Sequence, residues 1–302
     1  MVTRRMMMGL SLGGIFAAAA ATAGIMVWNT QASAKEPLGQ QWPNGQYVSM
    51  DQIDHSSYDS LLQKYVDKNG MVNYGAWQRN STDRKLLGQY LVQLSQASLS
   101  IKSSREGQLA FWINAYNATT LEGMLQEYPT SSIRNHTAKI AGYNIWKDLP
   151  LLVGGKPHSL EAIEHQILRK MGEPRIHFAI VCASVGCPRL LNEAYSPDRL
   201  EEQLALNSRD FFSRSQNFNV DANGTMHVSA ILDWFGEDFG ARQQVRFAFL
   251  QKYLPEDAQR LAVNPRARVT FLEYDWSINE QKAARTTSAP AKAKAGSGKR
   301  RK

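Results

Sequence analysis

Residues 175–195 read RIHFAIVCASVGCPRLLNEAY. The stretch holds His177, both cysteines of the chain (Cys182 and Cys187) and the acid Glu193. His177-Phe178-Ala179-Ile180-Val181-Cys182 is a short apolar run with β-branched members, and its pattern predicts a buried strand. Ala183-Ser184-Val185-Gly186 follows as a turn, and Cys187-Pro188 closes it. A buried strand that delivers thiols and an imidazole to its own exit loop is one way for a mixed α and β fold to build a reactive or binding site.

Working outward, the upstream half reads as helical. Helices are expected over 54–66, 82–94 and 104–128, the last stopped by Pro129. In this third helix Leu109, Ala110, Phe111, Trp112, Ile113, Ala115, Tyr116, Ala118, Leu121, Met124 and Leu125 leave almost no polar face. A helix apolar all round is packed on most sides, so it is the central helix. Its polar exceptions, Asn114 and Asn117, share a face. A buried amide must find partners, either in neighbouring backbone or by orienting something in a site.

Leu151-Leu152-Val153 before Gly154-Gly155 reads as half of a hairpin, and Ser159 caps a helix over 160–170. On a 3.6-residue wheel Glu164 falls in the middle of that helix's apolar stripe, with His165 on the far edge. An acid in an apolar face is partnered or shifted in pKa, and Arg175 and His177 are its nearest partners in sequence. Downstream come a helix after Ser196-Pro197, a hairpin around Ala222-Asn223-Gly224, a helix over 243–253 and a last strand over 268–274. The expected class is α+β, with a buried central helix packed on a small, mostly antiparallel sheet.

Both ends read differently from the middle. Residues 1–34 resemble an export signal: Arg4-Arg5, an apolar stretch, then Ala32-Ser33-Ala34 as a small-residue cleavage site. The arginine pair suits a twin-arginine signal, an ordinary secretory signal or an uncleaved anchor; each puts the body outside the cytoplasm, periplasmic or secreted. Residues 35–52 read as a leader, 53–280 as one domain and 281–302 as a disordered basic tail. Ten of the 35 Lys and Arg lie at the two ends, leaving 25 against all 27 acids. The nearly neutral body gives no footprint for nucleic acid. Membrane contact is expected only through the signal or the basic tail. With 43% apolar residues and 29 aromatics the chain can bury a sizeable core.

Taken in order, several motifs resemble the domain of unknown function 547 family. They are Phe111-Trp112-Ile113-Asn114-Ala115-Tyr116-Asn117-Ala118, Ser159-Leu160 with Ile163-Glu164-His165, Arg175-Ile176-His177-Phe178-Ala179, Cys182-Ala183-Ser184-Val185-Gly186-Cys187-Pro188, Asn192-Glu193-Ala194-Tyr195 and Tyr274-Asp275-Trp276. The family's name leaves its activity open. By analogy alone it is compared with papain-like or transglutaminase-like thiol folds.

Four chemistries stay open. In the first, Cys187, following a glycine in a loop, is the nucleophile, His177 its base, Glu164 the orienting acid and Asn114 a donor to an oxyanion or to the ring. This suits hydrolysis or transfer at amide, thioester or peptide bonds, although His177 precedes both cysteines, unlike the papain order. Cys182, at the end of an apolar run, reads as a core thiol. In the second, Asn117, His165, Arg175, Cys182 and Glu193 help to line a pocket that binds a small acidic or thiol-bearing ligand without turnover. The third is a structural Cys182–Cys187 disulfide. The fourth is a metal on His177, Cys182 and Cys187 with His165 or Glu164, at a spacing that matches no standard zinc pattern. The partner is a small molecule or peptide, and no cofactor is called for.

Overall fold

In the computed structural model, which describes residues 35–138 and 142–282, the apolar spacing of the first half becomes four helices. They are α1 (Ser56–Tyr65), α2 (Tyr74–Arg79), α3 (Ser81–Leu94) and α4 (Arg105–Glu127). Side-chain caps start three of them: Asn73 accepts from the Ala76 N–H at 3.0 Å, Asn80 from the Asp83 N–H at 3.1 Å and Ser104 from the Gly107 N–H at 2.9 Å. α4 is the central helix that its composition requires, buried without interruption from Leu109 to Leu125. Glu122 is held inside by a bidentate Arg84, both bonds 2.9 Å.

A short α5 (Ile145–Asp148) leads into the hairpin of β1 (Leu151–Val153) and β2 (Lys156–His158), with Leu151 opposite His158. α6 (Leu160–Ala162) is capped by Ser159 as expected, but the helix then widens into a π segment over Ile163–Leu168. The leader lies along this region: the Lys35 N–H donates to Asp148 O at 3.1 Å and Leu38 bridges to Leu151.

The second half is α7 (Leu200–Ser213), β3 (Phe218–Val220), β4 (Met226–Ser229), α8 (Ile231–Trp234), α9 (Gly236–Phe239), α10 (Gln243–Leu250), α11 (Gln259–Ala262) and β5 (Val269–Leu272). β3 and β4 pair antiparallel around the predicted turn, and β5 joins parallel to β4, giving the order β3-β4-β5. The class is α+β. The central helix and the three-stranded sheet nevertheless belong to different cores. α4 packs against α2, α3 and the helix begun by α6. The sheet's inner residues Phe218, Met226 and Val228 share a second core with Phe211, Phe212, Phe239, Phe247 and Leu250. Tyr274 packs against both.

The predicted strand at 177–182 is not one. Pro174–Phe178 is a 3-10 turn, opened by Pro174 and by Glu173, which accepts from the Arg175 N–H at 3.1 Å. Ala179 to Val181 behind it are buried, but side chains take the places of a partner strand. Asn117 donates to Ala179 O at 3.0 Å and accepts from the Val181 N–H at 2.9 Å, and Asn207 donates to Phe178 O at 3.1 Å. The hydrophobic run required burial and satisfied backbone groups, and amides supply the second without a ladder.

The export-signal reading of 1–34 and the basic tail from 283 lie outside the described residues. Gln281 still belongs to the body, donating to Tyr65 O and Met71 O at 3.2 and 3.0 Å. No helix among the described residues is long and apolar enough to cross a membrane.

Candidate functional site

A cleft of about 270 Å³ opens where the two cores meet. Its floor holds Cys182, Cys187, Glu164, Tyr116 and His177, and its walls are largely aromatic: Trp146 from α5, Trp234 from α8, Phe235, Tyr274 and Trp276. Tyr274 and Trp276 sit 4.5 Å apart, and Trp234 stacks on Trp276 at 5.8 Å.

The two thiols form the centre. Their sulfurs are 2.7 Å apart, the Cys182 N–H donates to Cys187 Sγ at 3.0 Å, and the Tyr274 hydroxyl lies 3.0 Å from Cys187 Sγ and 3.3 Å from Cys182 Sγ. The loop between them is fixed by backbone bonds to the segment after β5. Val185 N–H donates to Ser277 O, Gly186 N–H to Asp275 O (both 2.8 Å), and Asn279 N–H to Ala183 O at 3.1 Å. Ala183 is left-handed at φ 59°, a conformation that side chains other than glycine rarely adopt. Gly186 is required for a different reason: a Cβ there would stand 2.9 Å from Asp275 N and 3.0 Å from its O.

The ranking of the cysteines reverses. Cys187, expected to be the approachable one, is buried at 6% exposure, while Cys182 is only partly buried. A hydrogen bond from Cys187, with help from Tyr274 and Ser184, draws the Cys182 thiol below its ordinary pKa. Burial, with Cys182 beside it, drives Cys187 well above.

Glu164 is on the floor, as its place in the apolar stripe suggested. Burial raises its carboxyl to about 7, against the opposing Tyr116 hydrogen bond (3.3 Å) and the Arg169 charge. His165 also lines the cleft. The π segment accounts for this: one extra residue per turn rotates neighbours that a 3.6 wheel separates.

Glu164 does not orient His177. Asp238, which the sequence reading missed, accepts from His177 Nε2 at 2.7 Å. Burial would raise Asp238, but Arg169 (2.6 and 2.8 Å) and His177 hold it well below the usual carboxylate range. A carboxylate there places the imidazole proton on Nε2. His177 stacks on Phe235 at 4.3 Å, and burial lowers its pKa. Neither sulfur is hydrogen-bonded to the ring, so the expected thiol–imidazole pair does not form.

Four other candidates lie outside the cleft. Asn114 donates to Tyr195 O at 2.8 Å and accepts from the Tyr195 N–H at 2.9 Å. With Asn117 clamping Ala179 and Val181, it fastens the thiol-bearing segment to α4 at both ends and reaches no oxyanion. Arg175 is spent on Glu173 and Glu201, with bonds of 2.7–2.8 Å to each. Glu193 accepts from Arg199 and Gln203 at 2.8 and 3.2 Å. Among the described residues no three His, Cys, Asp or Glu side chains gather as a metal-binding group.

Residues 100–212 match the model of a family described as "Protein of unknown function, DUF547". Comparison with curated proteins and with solved structures returned no match.

Proposed function

We propose that this chain, which belongs to the DUF547 family, is a thiol-dependent hydrolase or transferase for small amide, thioester or peptide substrates, with Cys182 as nucleophile. The observation that carries the reading is the asymmetric thiol pair: both line a sizeable cleft, and the less buried, Cys182, is helped to ionise by the other and by Tyr274.

The Cys182 thiolate attacks the substrate carbonyl, and the Tyr274 hydroxyl, already within reach of both sulfurs, serves the developing oxyanion. Glu164, poised near 7, hands its proton to the leaving group and then takes one from the water that releases the acyl group. The aromatic walls favour an apolar or planar acyl part and keep bulk water away. His177 with Asp238 and Arg169 forms a neutral-imidazole wall beside the site.

The test is a burst assay with a chromogenic thioester. Wild-type protein should show a stoichiometric burst that Cys182→Ala abolishes while leaving the fold intact. A burst of equal size in Cys182→Ala ends the reading. The proposal carries with it a periplasmic or secreted location, supported by Arg4-Arg5, the apolar run behind them and Ala32-Ser33-Ala34. A mature N-terminus at Met1 in exported fractions would count against cleavage there.

A further inference from the structure

We infer that Cys182 and Cys187 also act together as a dithiol that exchanges with small-molecule disulfides, Cys182 attacking and Cys187 resolving. The inference rests on the reading of Cys182 as the reactive thiol, and goes beyond it by giving the second cysteine a covalent role.

Three observations meet here. The first is juxtaposition: the sulfurs are neighbours, a backbone N–H of one residue points at the sulfur of the other, and one phenol serves both. An acyl-transfer site needs one thiol, and a second at contact distance has no part in that reaction beyond its hydrogen bond. The second is asymmetry of access: both cysteines line the cleft, but Cys187 is buried and Cys182 only partly so. An incoming disulfide therefore meets the more accessible Cys182 first, and the mixed disulfide forms beside the more deeply buried Cys187 thiol. The third is the frame: the turn from Ala183 to Gly186 is fastened to Asp275, Ser277 and Asn279, so both sulfurs are held on one side before any bond forms. The cleft volume of about 270 Å³ suits a cysteine-sized or short peptidyl disulfide rather than a folded protein.

The chemistry balances without any further reagent. The Cys182 thiolate attacks one sulfur of R–S–S–R; that S–S bond breaks, and the departing thiolate takes a proton from the Glu164 carboxyl. The Cys187 thiol then gives its proton to the Glu164 carboxylate, and its sulfur attacks Cys182 Sγ. The second R–S⁻ leaves and is protonated in turn. The protein dithiol is oxidised by two electrons, and the disulfide is reduced to two thiols.

The experiment treats the full chain with glutathione disulfide, quenches in acid and reads the intact mass. Wild type should lose the mass of two hydrogens and keep no adduct, and reduced glutathione should reverse the change. Cys187→Ser should instead hold one glutathionyl group, mapped to Cys182. A wild-type chain that keeps a stable adduct, or that retains two free thiols under these conditions, overturns the inference. The wild-type mass decides the matter even if Cys187→Ser does not fold. A thioester burst without disulfide closure removes this inference and leaves the acyl reading; closure without a burst does the reverse.

Discussion

Replacing Glu164 by Gln should stabilise the protein, and by an amount that depends on pH. The carboxyl sits half-buried with only Tyr116 as a hydrogen-bonding neighbour, and burial raises it from the ordinary 4.5 to about 7. The folded chain therefore holds this proton to higher pH than the unfolded chain does. Below the ordinary value both states are protonated and nothing is lost. As the pH climbs toward 7 the unfolded chain releases its proton first, and stability falls until the folded carboxyl ionises too. At about 1.4 kcal/mol per tenfold the full loss is about 3 kcal/mol. Glu164→Gln keeps the shape and the Tyr116 contact but cannot ionise. Urea unfolding of the two proteins should give nearly equal stabilities at about pH 4 and a variant more stable by about 3 kcal/mol at about pH 8. A difference that stays constant across this range, or that favours wild type at the higher pH, refutes the argument. The cost makes chemical sense, because a carboxyl that titrates near neutrality is what proton transfer requires.

Tyr274→Phe removes the hydroxyl shared by the two sulfurs; the pH midpoint of Cys182 alkylation should move up, with about tenfold less thiolate near neutrality. Asn114→Ala should cost about 2–3 kcal/mol in chemical unfolding by orphaning the Tyr195 backbone groups. Asp238→Asn should cost about 1.5–3 kcal/mol, because it removes the carboxylate charge and leaves a single acceptor oxygen for the bidentate Arg169 and His177.

The parts of the fold that were legible in the sequence are those set by local chemistry. The run from Leu109 to Leu125 has almost no polar face, so α4 had to be central. Ser104 and Ser159 cap as their neighbours demand, and Gly154-Gly155 and Ala222-Asn223-Gly224 turn their hairpins. Glu164 stood out because an acid in an apolar stripe must be unusual, and the site does contain it.

What was not legible came from distant parts of the chain. Asp238 reaches His177 across 61 residues and Tyr274 reaches Cys187 across 87. Nothing near either partner announces the contact, although Tyr274-Asp275-Trp276 was already in view as a motif. The apolar run at 177–182 carries the composition of a strand, and only the amides of Asn117 and Asn207 reveal that its backbone is satisfied differently. Loop position alone does not rank the cysteines. Exposure is decided instead by what covers the loop, here the segment after β5. His165 lines the cleft, as its place among the pocket candidates expects, although a wheel of 3.6 sets it on the far edge because it does not anticipate a π turn.

The most direct test of the central claim is competitive alkylation of the reduced protein with limiting iodoacetamide at about pH 6, with the label mapped by peptide mass. The account requires the label on Cys182, at a rate above that of free cysteine, with Cys187 almost untouched. Label on Cys187 first, or equal slow labelling of both, would contradict it.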